Sequence, residues 1–432
     1  MIDLFSFINS SPTAHHAAST AARMLTDAGF EELTGGERSL EPGKGYFLRR
    51  GSGFLAAFRR GTASLPESGT RITLAHTDSP SLQLKVHGLS ETGSLCTVPV
   101  EVYGSPILST WLDRPLEIAG TIAVHGAEGI ELYPVRTGKP TAIIPNLAIH
   151  LNKKVNEGFS YDKQTHLRPL IDKEVVGDAL LESVATLSGI DGRSIVEAEL
   201  FLVPAEEPTP WGADEAGYFT ASRVDNLAGV YANLRGLIEA EAGAAAQVAI
   251  LFDHEEVGSL SRTGARSSGI STLLETLLAA EGGAASSLTP LEETIRRSLL
   301  LSNDATHGNH PNFPEKQDPA YLPELGRGPA VKLSAVRRYA TEPEATAKLR
   351  LVAREADVEL QLIQNRADVP AGTTVGPMSA TSSLIPTVDL GVPILAMHSA
   401  RETAHLEDVL TMCRLMRVFY GSSAPGRKSK LF

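Results

Sequence analysis

Cysteine is scarce in this chain, long apolar runs are missing, and no basic cluster of any size occurs. Only Cys96 and Cys413 are found among 432 residues. Two isolated thiols so far apart exclude a disulfide framework and a thiolate metal site. They fit a reducing, cytoplasmic compartment. No stretch approaches the ~20 apolar residues needed to span a bilayer. The N-terminal MIDLFSFINS has no basic segment followed by a sustained apolar run, so no secretory signal is read there. The formal net charge is −12 and the pI about 5.5, a field that repels phosphate backbones. The short Arg427-Lys428-Ser429-Lys430 stretch reads as a solvated tail. A membrane protein and a nucleic-acid binder are both disfavoured.

What is present is ordinary for a folded protein: 42% hydrophobic and 21% charged residues. The length suggests two domains. A helix is expected after Pro12, with Ala14, Ala17, Ala18, Ala21, Ala22 and Leu25 on one face and a stop at Gly29. Strands are expected at Tyr46–Leu48, Phe54–Phe58 and Ile72–Ala75. Between about 88 and 213 the character changes to short β-like runs broken by Gly and Pro: Leu95–Tyr103, Leu116–His125, Thr141–Ile144 and Ala198–Val203. Lys173–Leu187 is the main helical pattern there. This stretch reads as an inserted, mostly β domain. The remainder, 1–87 and 214–432, alternates helix and strand. Leu227, Val230, Tyr231, Leu234, Leu237 and Ile238 form a helical stripe. Strand-like runs follow at Val248–Phe252, Ser298–Leu301, Val331–Leu333, Val358–Ile363 and Val392–Met397. Helical patterns fall at Ile270–Ala280 and from Leu406 to Met416. Gly282–Ser287 reads as a flexible loop. The expected fold class is α/β, a three-layer domain on a mixed, mostly parallel sheet, carrying the β-rich insert.

The chemistry is carried by position. Four apolar runs end in metal-ligand residue types. Ile72–Ala75 leads to His76-Thr77-Asp78, and Val248–Phe252 to Asp253-His254-Glu255-Glu256. Ser298–Leu301 leads to Ser302-Asn303-Asp304, and Val392–Met397 to His398. In an open α/β sheet, ligands bind at the carboxyl ends of strands, so these segments can converge. Asp225 opens the Leu227 helix. Each residue also has a bland reading. Asp225 serves as an N-cap, a lone histidine is more often structural than a ligand, and Glu255-Glu256 can be a solvated turn. Adjacent carboxylates beside a buried strand nevertheless call for a cation. Imidazole with carboxylate suits zinc, manganese or cobalt better than the all-oxygen ions. Two histidines and three acids suffice for two ions sharing a carboxylate, with Glu255 left over as a base.

Four segments in order resemble the motifs of the aspartyl aminopeptidase family, dinuclear zinc metallo-aminopeptidases. They are Ala75-His76-Thr77-Asp78-Ser79-Pro80, Ser222-Arg223-Val224-Asp225-Asn226-Leu227, Asp253-His254-Glu255-Glu256-Val257-Gly258-Ser259 and Met397-His398-Ser399-Ala400-Arg401-Glu402. The resemblance covers essentially the whole chain. It implies that His76 and Asp304 hold one zinc, Glu256 and His398 the other, and that Asp225 bridges them. It gives Glu255 the role of base and Asp78 that of orienting the His76 ring. It further implies a dimerising insert within a tetrahedral dodecamer, and a role for His150, in Ile144–Leu151, in the neighbouring subunit's site. Lys332 and Tyr339 match the positions that line a pocket for an acidic first residue. The chain departs from the family's pattern within Asn303–His310, where His307 and His310 carry no assigned role, and at Gly376–Ser379. Rival readings are a related dinuclear aminopeptidase or deacylase of other specificity, and a non-catalytic assembly scaffold. Peptides are the implied substrates.

Overall fold

The computed structural model describes residues 2–34, 40–127, 129–173, 180–191, 195–213, 217–281 and 288–422. The expectations for Gly282–Ser287 and for Arg427–Lys430 lie outside the described residues.

A nine-stranded sheet forms the centre. Its strands run in the order Glu31–Glu32, Gly45–Arg50, Phe54–Arg59, Ala246–Phe252, Thr70–His76, Leu299–Asn303, Thr387–Gly391, Ala330–Leu333, Gln361–Gln364. Ala246–Phe252, Thr70–His76, Leu299–Asn303 and Thr387–Gly391 are mutually parallel neighbours. Antiparallel pairs flank them, Ala246–Phe252 with Phe54–Arg59 and Thr387–Gly391 with Ala330–Leu333. The central strands are buried on both faces, which explains their continuous apolar sequences. Side chains alternate between the faces. Ala249, Leu251, Leu299 and Leu301 join one core with the helices Leu4–Asn9, Ala14–Asp27, Val224–Glu239, Pro343–Glu355 and Leu406–Gly421. Val248, Ile250, Phe252 and Leu300 join a second core with Gly269–Ala280 and Val375–Ser383. Three layers result.

A second, antiparallel sheet takes its strands from Ser81–Leu84 through Ile195–Pro204, and its longest strand is Leu116–Gly126. It closes over its own core around Trp111, Ile118, Ile122, Leu200 and Leu202.

Several local expectations need correction. The sheet strand near the C-terminal end is Thr387–Gly391, not Val392–Met397. Its polar Thr387 and Asp389 hid a fully buried strand, while within the expected run Pro393–Ile394 pairs with Thr306–His307 and Leu395 bridges to Thr403. Val358–Ile363 gives way to Gln361–Gln364, and Val358 packs into the core after the helix Pro343–Glu355. Leu95–Tyr103 is two strands, Leu95–Thr97 and Val100–Tyr103. The first long helix starts at Ala14 with Thr13 as N-cap, and a short helix, Leu4–Asn9, precedes it. Of the pattern Lys173–Leu187, the described helix is Leu180–Leu187.

Candidate metal centre

Three adjacent parallel strands deliver the first residues. Phe252 stands beside His76, and Ser302 beside Leu74, so the carboxyl ends of Ala246–Phe252, Thr70–His76 and Leu299–Asn303 open at one level. His76 ends its strand, Asp304 follows the next, and the turn Glu255–Val257 follows the third. Asp225 comes from the first turn of Val224–Glu239, where the backbone at Asp225 and Asn226 is not helical. Arg223 stands at the N-cap position of this helix. His398 arrives from a turn, not a strand end, held by the bridge between Leu395 and Thr403. Arg223, His254 and His398 all have positive φ, at 61°, 60° and 66°. Non-glycine residues rarely adopt this region, and their clustering here is typical of a functional site.

The side chains form two groups around one carboxylate. His76 Nε2 lies 3.4 Å from Asp225 Oδ1 and 3.4 Å from Asp304 Oδ1. His398 Nε2 lies 3.6 Å from Asp225 Oδ2 and 3.4 Å from Glu256 Oε2. Asp225 thus offers one oxygen to each imidazole. These separations are long for hydrogen bonds. They match the ~3.3 Å between two donors on one tetrahedral ion with ligands at about 2.0–2.1 Å. Asp225 Oδ1 and Glu256 Oε1 are buried and have no hydrogen-bond donor among the described residues. The donor set therefore fits metal ions.

The ring orientations agree. His76 Nδ1 donates to the main-chain carbonyl of Asp78 at 3.0 Å, and His398 Nδ1 to that of Ser105 at 3.1 Å. A carbonyl only accepts, so in each ring the proton sits on Nδ1 and Nε2 keeps its lone pair for the cluster. Asp78 orients His76 chiefly through this carbonyl, with its carboxylate 3.4 Å from the same nitrogen. That carboxylate accepts the N–H groups of Glu255 and Glu256, each at 3.1 Å, and the Tyr103 hydroxyl at 2.8 Å. It fixes the turn that presents both glutamates.

Electrostatics show how much negative charge is gathered. Burial by itself lowers the pKa of His76, but Asp225, Asp304 and Asp78 outweigh it and hold the value well above normal. That pull marks a place for positive charge among these carboxylates. Burial, then the Asp225 charge, pushes Glu256 well up. Glu255 is pushed up to about 8, mainly by burial and by the carboxylates of Asp304, Asp78 and Asp225 against the opposing pull of His76. Burial likewise disfavours ionised Asp304, yet Lys332 and His76 hold it below the ordinary range.

Lys332 is buried, at 3% exposure, with Nζ 3.5 Å from Asp304 Oδ2 and 5.5 Å from the centre of the Tyr339 ring. His150 is exposed on the turn Ala148–Leu151. His307 lies in a two-residue strand, and His310 packs on Phe313 with ring centres 4.9 Å apart.

One residue without an assigned role proves central. Glu402 is buried and accepts the N–H of Asp225 through Oε2 at 3.0 Å and that of His398 through Oε1 at 2.8 Å. Its presence four residues after His398 was visible in the sequence, but nothing in the spacing ties it to Asp225.

Comparison with known proteins agrees with this geometry. Residues 7–420 match the family described as Aminopeptidase I zinc metalloprotease (M18). The "Probable M18 family aminopeptidase 2" of Clostridium novyi is 36% identical over 428 residues, 97% of this chain and 98% of that protein. The solved Ape4 from its complex with Nbr1 superposes with a TM-score of 0.91 at 33% identity, covering 97% of this chain and 85% of that one. The S. cerevisiae mApe1 dodecamer gives a TM-score of 0.82 at 24% identity, covering 96% and 95% respectively, a likeness of fold. The chain belongs to the M18 family of zinc aminopeptidases.

Proposed function

We propose that the chain removes the N-terminal residue of peptides with two zinc ions, prefers Asp or Glu in that position, and uses Glu255 as its base. The observation that carries this reading is the placement of Asp225, with Oδ1 toward His76 and Oδ2 toward His398. In this reading His76 and Asp304 complete one ion's protein donors, Glu256 and His398 the other's, and Asp225 serves both. Zinc held by these residues would supply Lewis acidity toward the scissile carbonyl and would make the attacking water more acidic.

The chain's own residues do the rest. Glu255 accepts the proton of the attacking water on its carboxylate and returns it to the leaving amine. Asp78 keeps the Glu255 turn in place, and Asp304 is kept ionised by Lys332. Lys332 beneath Tyr339 is the proposed seat of acidic selectivity. The overall charge of −12 disfavours acidic peptides, so local positive charge must select them. A desolvated ammonium–carboxylate contact is stronger than a surface pair.

Dimerisation through the second sheet, assembly into a dodecamer, and entry of His150 into a neighbouring site belong to the same proposal. Exposed Ile130, Leu132, Leu147 and Leu151 in that region support it, as does the dodecameric state of the yeast relative. A cytoplasmic location is proposed from the two unpaired, buried cysteines.

Chromogenic substrates with Asp, Glu and Leu heads test the whole reading, assayed before chelation, after it, and after zinc is restored. Full activity in the stripped protein would sink the metal reading. Faster cleavage of Leu than of Asp heads would sink the acidic preference and leave a broad-specificity aminopeptidase.

A further inference from the structure

Asp389 is a fully buried carboxylate that the chemistry above leaves without a task. It lies in the strand Thr387–Gly391, antiparallel to the strand that carries Lys332, with Val331 opposite Leu390. Its Oδ2 accepts the main-chain N–H of Ala340, the residue after Tyr339. Its Oδ1 accepts the Thr374 hydroxyl at 2.6 Å. Its own N–H donates to Thr341 Oγ1 at 3.0 Å. The segment 334–341 is therefore tied to the sheet at its last two residues, directly after Tyr339.

The surroundings are shaped for this carboxylate. A Cβ on Gly376 would fall 2.3 Å from Asp389 Oδ1, so only glycine lets the helix Val375–Ser383 start against it. Thr374 caps that helix by accepting from Gly376 N–H at 3.3 Å while donating to Asp389. A strand, a helix start and the loop bearing Tyr339 thus meet on one group. Such convergence over-determines the loop, because a buried charge left without donors is strongly disfavoured.

We propose that Asp389 is a positioning residue for first-residue recognition: by holding Ala340 and Thr341 it fixes Tyr339 over Lys332, and so sets acidic selectivity without touching the substrate. This rests on the acidic-pocket reading given under Proposed function.

The test is steady-state kinetics with Asp- and Leu-headed substrates on zinc-loaded protein, with zinc content measured for each variant. Asp389→Ala is expected to lower the Asp-to-Leu ratio of kcat/KM by about tenfold, mostly through KM for the acidic head. Zinc content should stay at the wild-type value. Asp389→Asn keeps an oxygen for Ala340 N–H and is expected to restore part of the ratio. A ratio within about twofold of wild type, or equal losses in kcat for both heads, overturns the proposal. Lys332→Met separates the two ideas. If it changes the ratio and Asp389→Ala does not, the proposal fails and the acidic pocket stands. If neither changes it, the acidic pocket itself has failed and the proposal falls with it. Should Asp389→Ala not fold, Thr341→Val decides, because it removes one half-buried hydroxyl. A drop of about threefold is expected, and an unchanged ratio overturns the proposal.

Discussion

The main-chain N–H of Asp225 donates to Glu402 Oε2 at 3.0 Å, although 177 residues separate them. The other oxygen of the same carboxylate holds His398 N–H, so one buried group sets the spacing of two proposed zinc ligands. Glu402→Gln leaves one acceptor and adds an amide donor that faces an N–H. Groups that support metal ligands in this way typically contribute 10–100-fold to affinity. The expected outcome is zinc affinity weakened by about tenfold or more, read by competition with a chromogenic chelator. Unchanged zinc affinity would remove Glu402 from the site.

Glu255 is the only member of the cluster assigned to proton transfer. Glu255→Gln preserves shape and removes basicity. Turnover is expected to fall by about 10²–10⁴-fold. Zinc per chain, measured by elemental analysis, is expected to stay at the wild-type value. A variant of wild-type activity would contradict the mechanism, and one that loses its zinc would recast Glu255 as a ligand.

Zinc removal should destabilise the fold as well as silence it. The carboxylates of Asp225, Glu256 and Asp304 are buried close to one another, and without a metal ion their repulsion favours proton uptake at Glu256. Ligand that binds only the folded chain stabilises it by mass action. A melting temperature lower by about 5 °C or more is expected for the chelated protein in differential scanning fluorimetry, recovered by adding zinc. Identical melting curves would argue that the cluster is not a metal site.

A pH effect should arise at His15 and His16. Burial pushes His15 down to about 4 and His16 to about 3, from an ordinary 6.5. Both then stay neutral in the folded chain, while the unfolded chain takes up their protons below about pH 6.5. Their contribution is therefore complete above pH 6.5 and is lost as pH falls toward 3. Between pH 7.5 and 5.0 the stability gap between wild type and His16→Gln should shrink by about 2 kcal/mol. Urea unfolding at the two pH values measures this, and a constant gap would mean that His16 is protonated in the fold.

Much of the site was legible in the chain because strand ends are legible. His76, Glu255, Glu256 and Asp304 follow buried apolar runs, and a sheet of parallel strands opens those ends together. The runs could be read because strands covered on both faces must be continuously apolar. Thr387–Gly391 escaped for the converse reason. Its Asp389 satisfies its charge through donors from Ala340 and Thr374, and such a partner cannot be inferred from neighbours in sequence.

The sequence by itself therefore determined which residue types could hold zinc, and that they end adjacent strands. Apolar burial and strand polarity are local properties, written in runs of a few residues. Tertiary structure alone decided that Asp225 divides its oxygens between two imidazoles, that Glu402 holds Asp225 and His398 together, and that Asp389 ties down the loop of Tyr339. Hydrogen bonds and ion contacts depend on distances of a few ångströms between segments up to 177 residues apart. Only the packing of three layers brings those distances about.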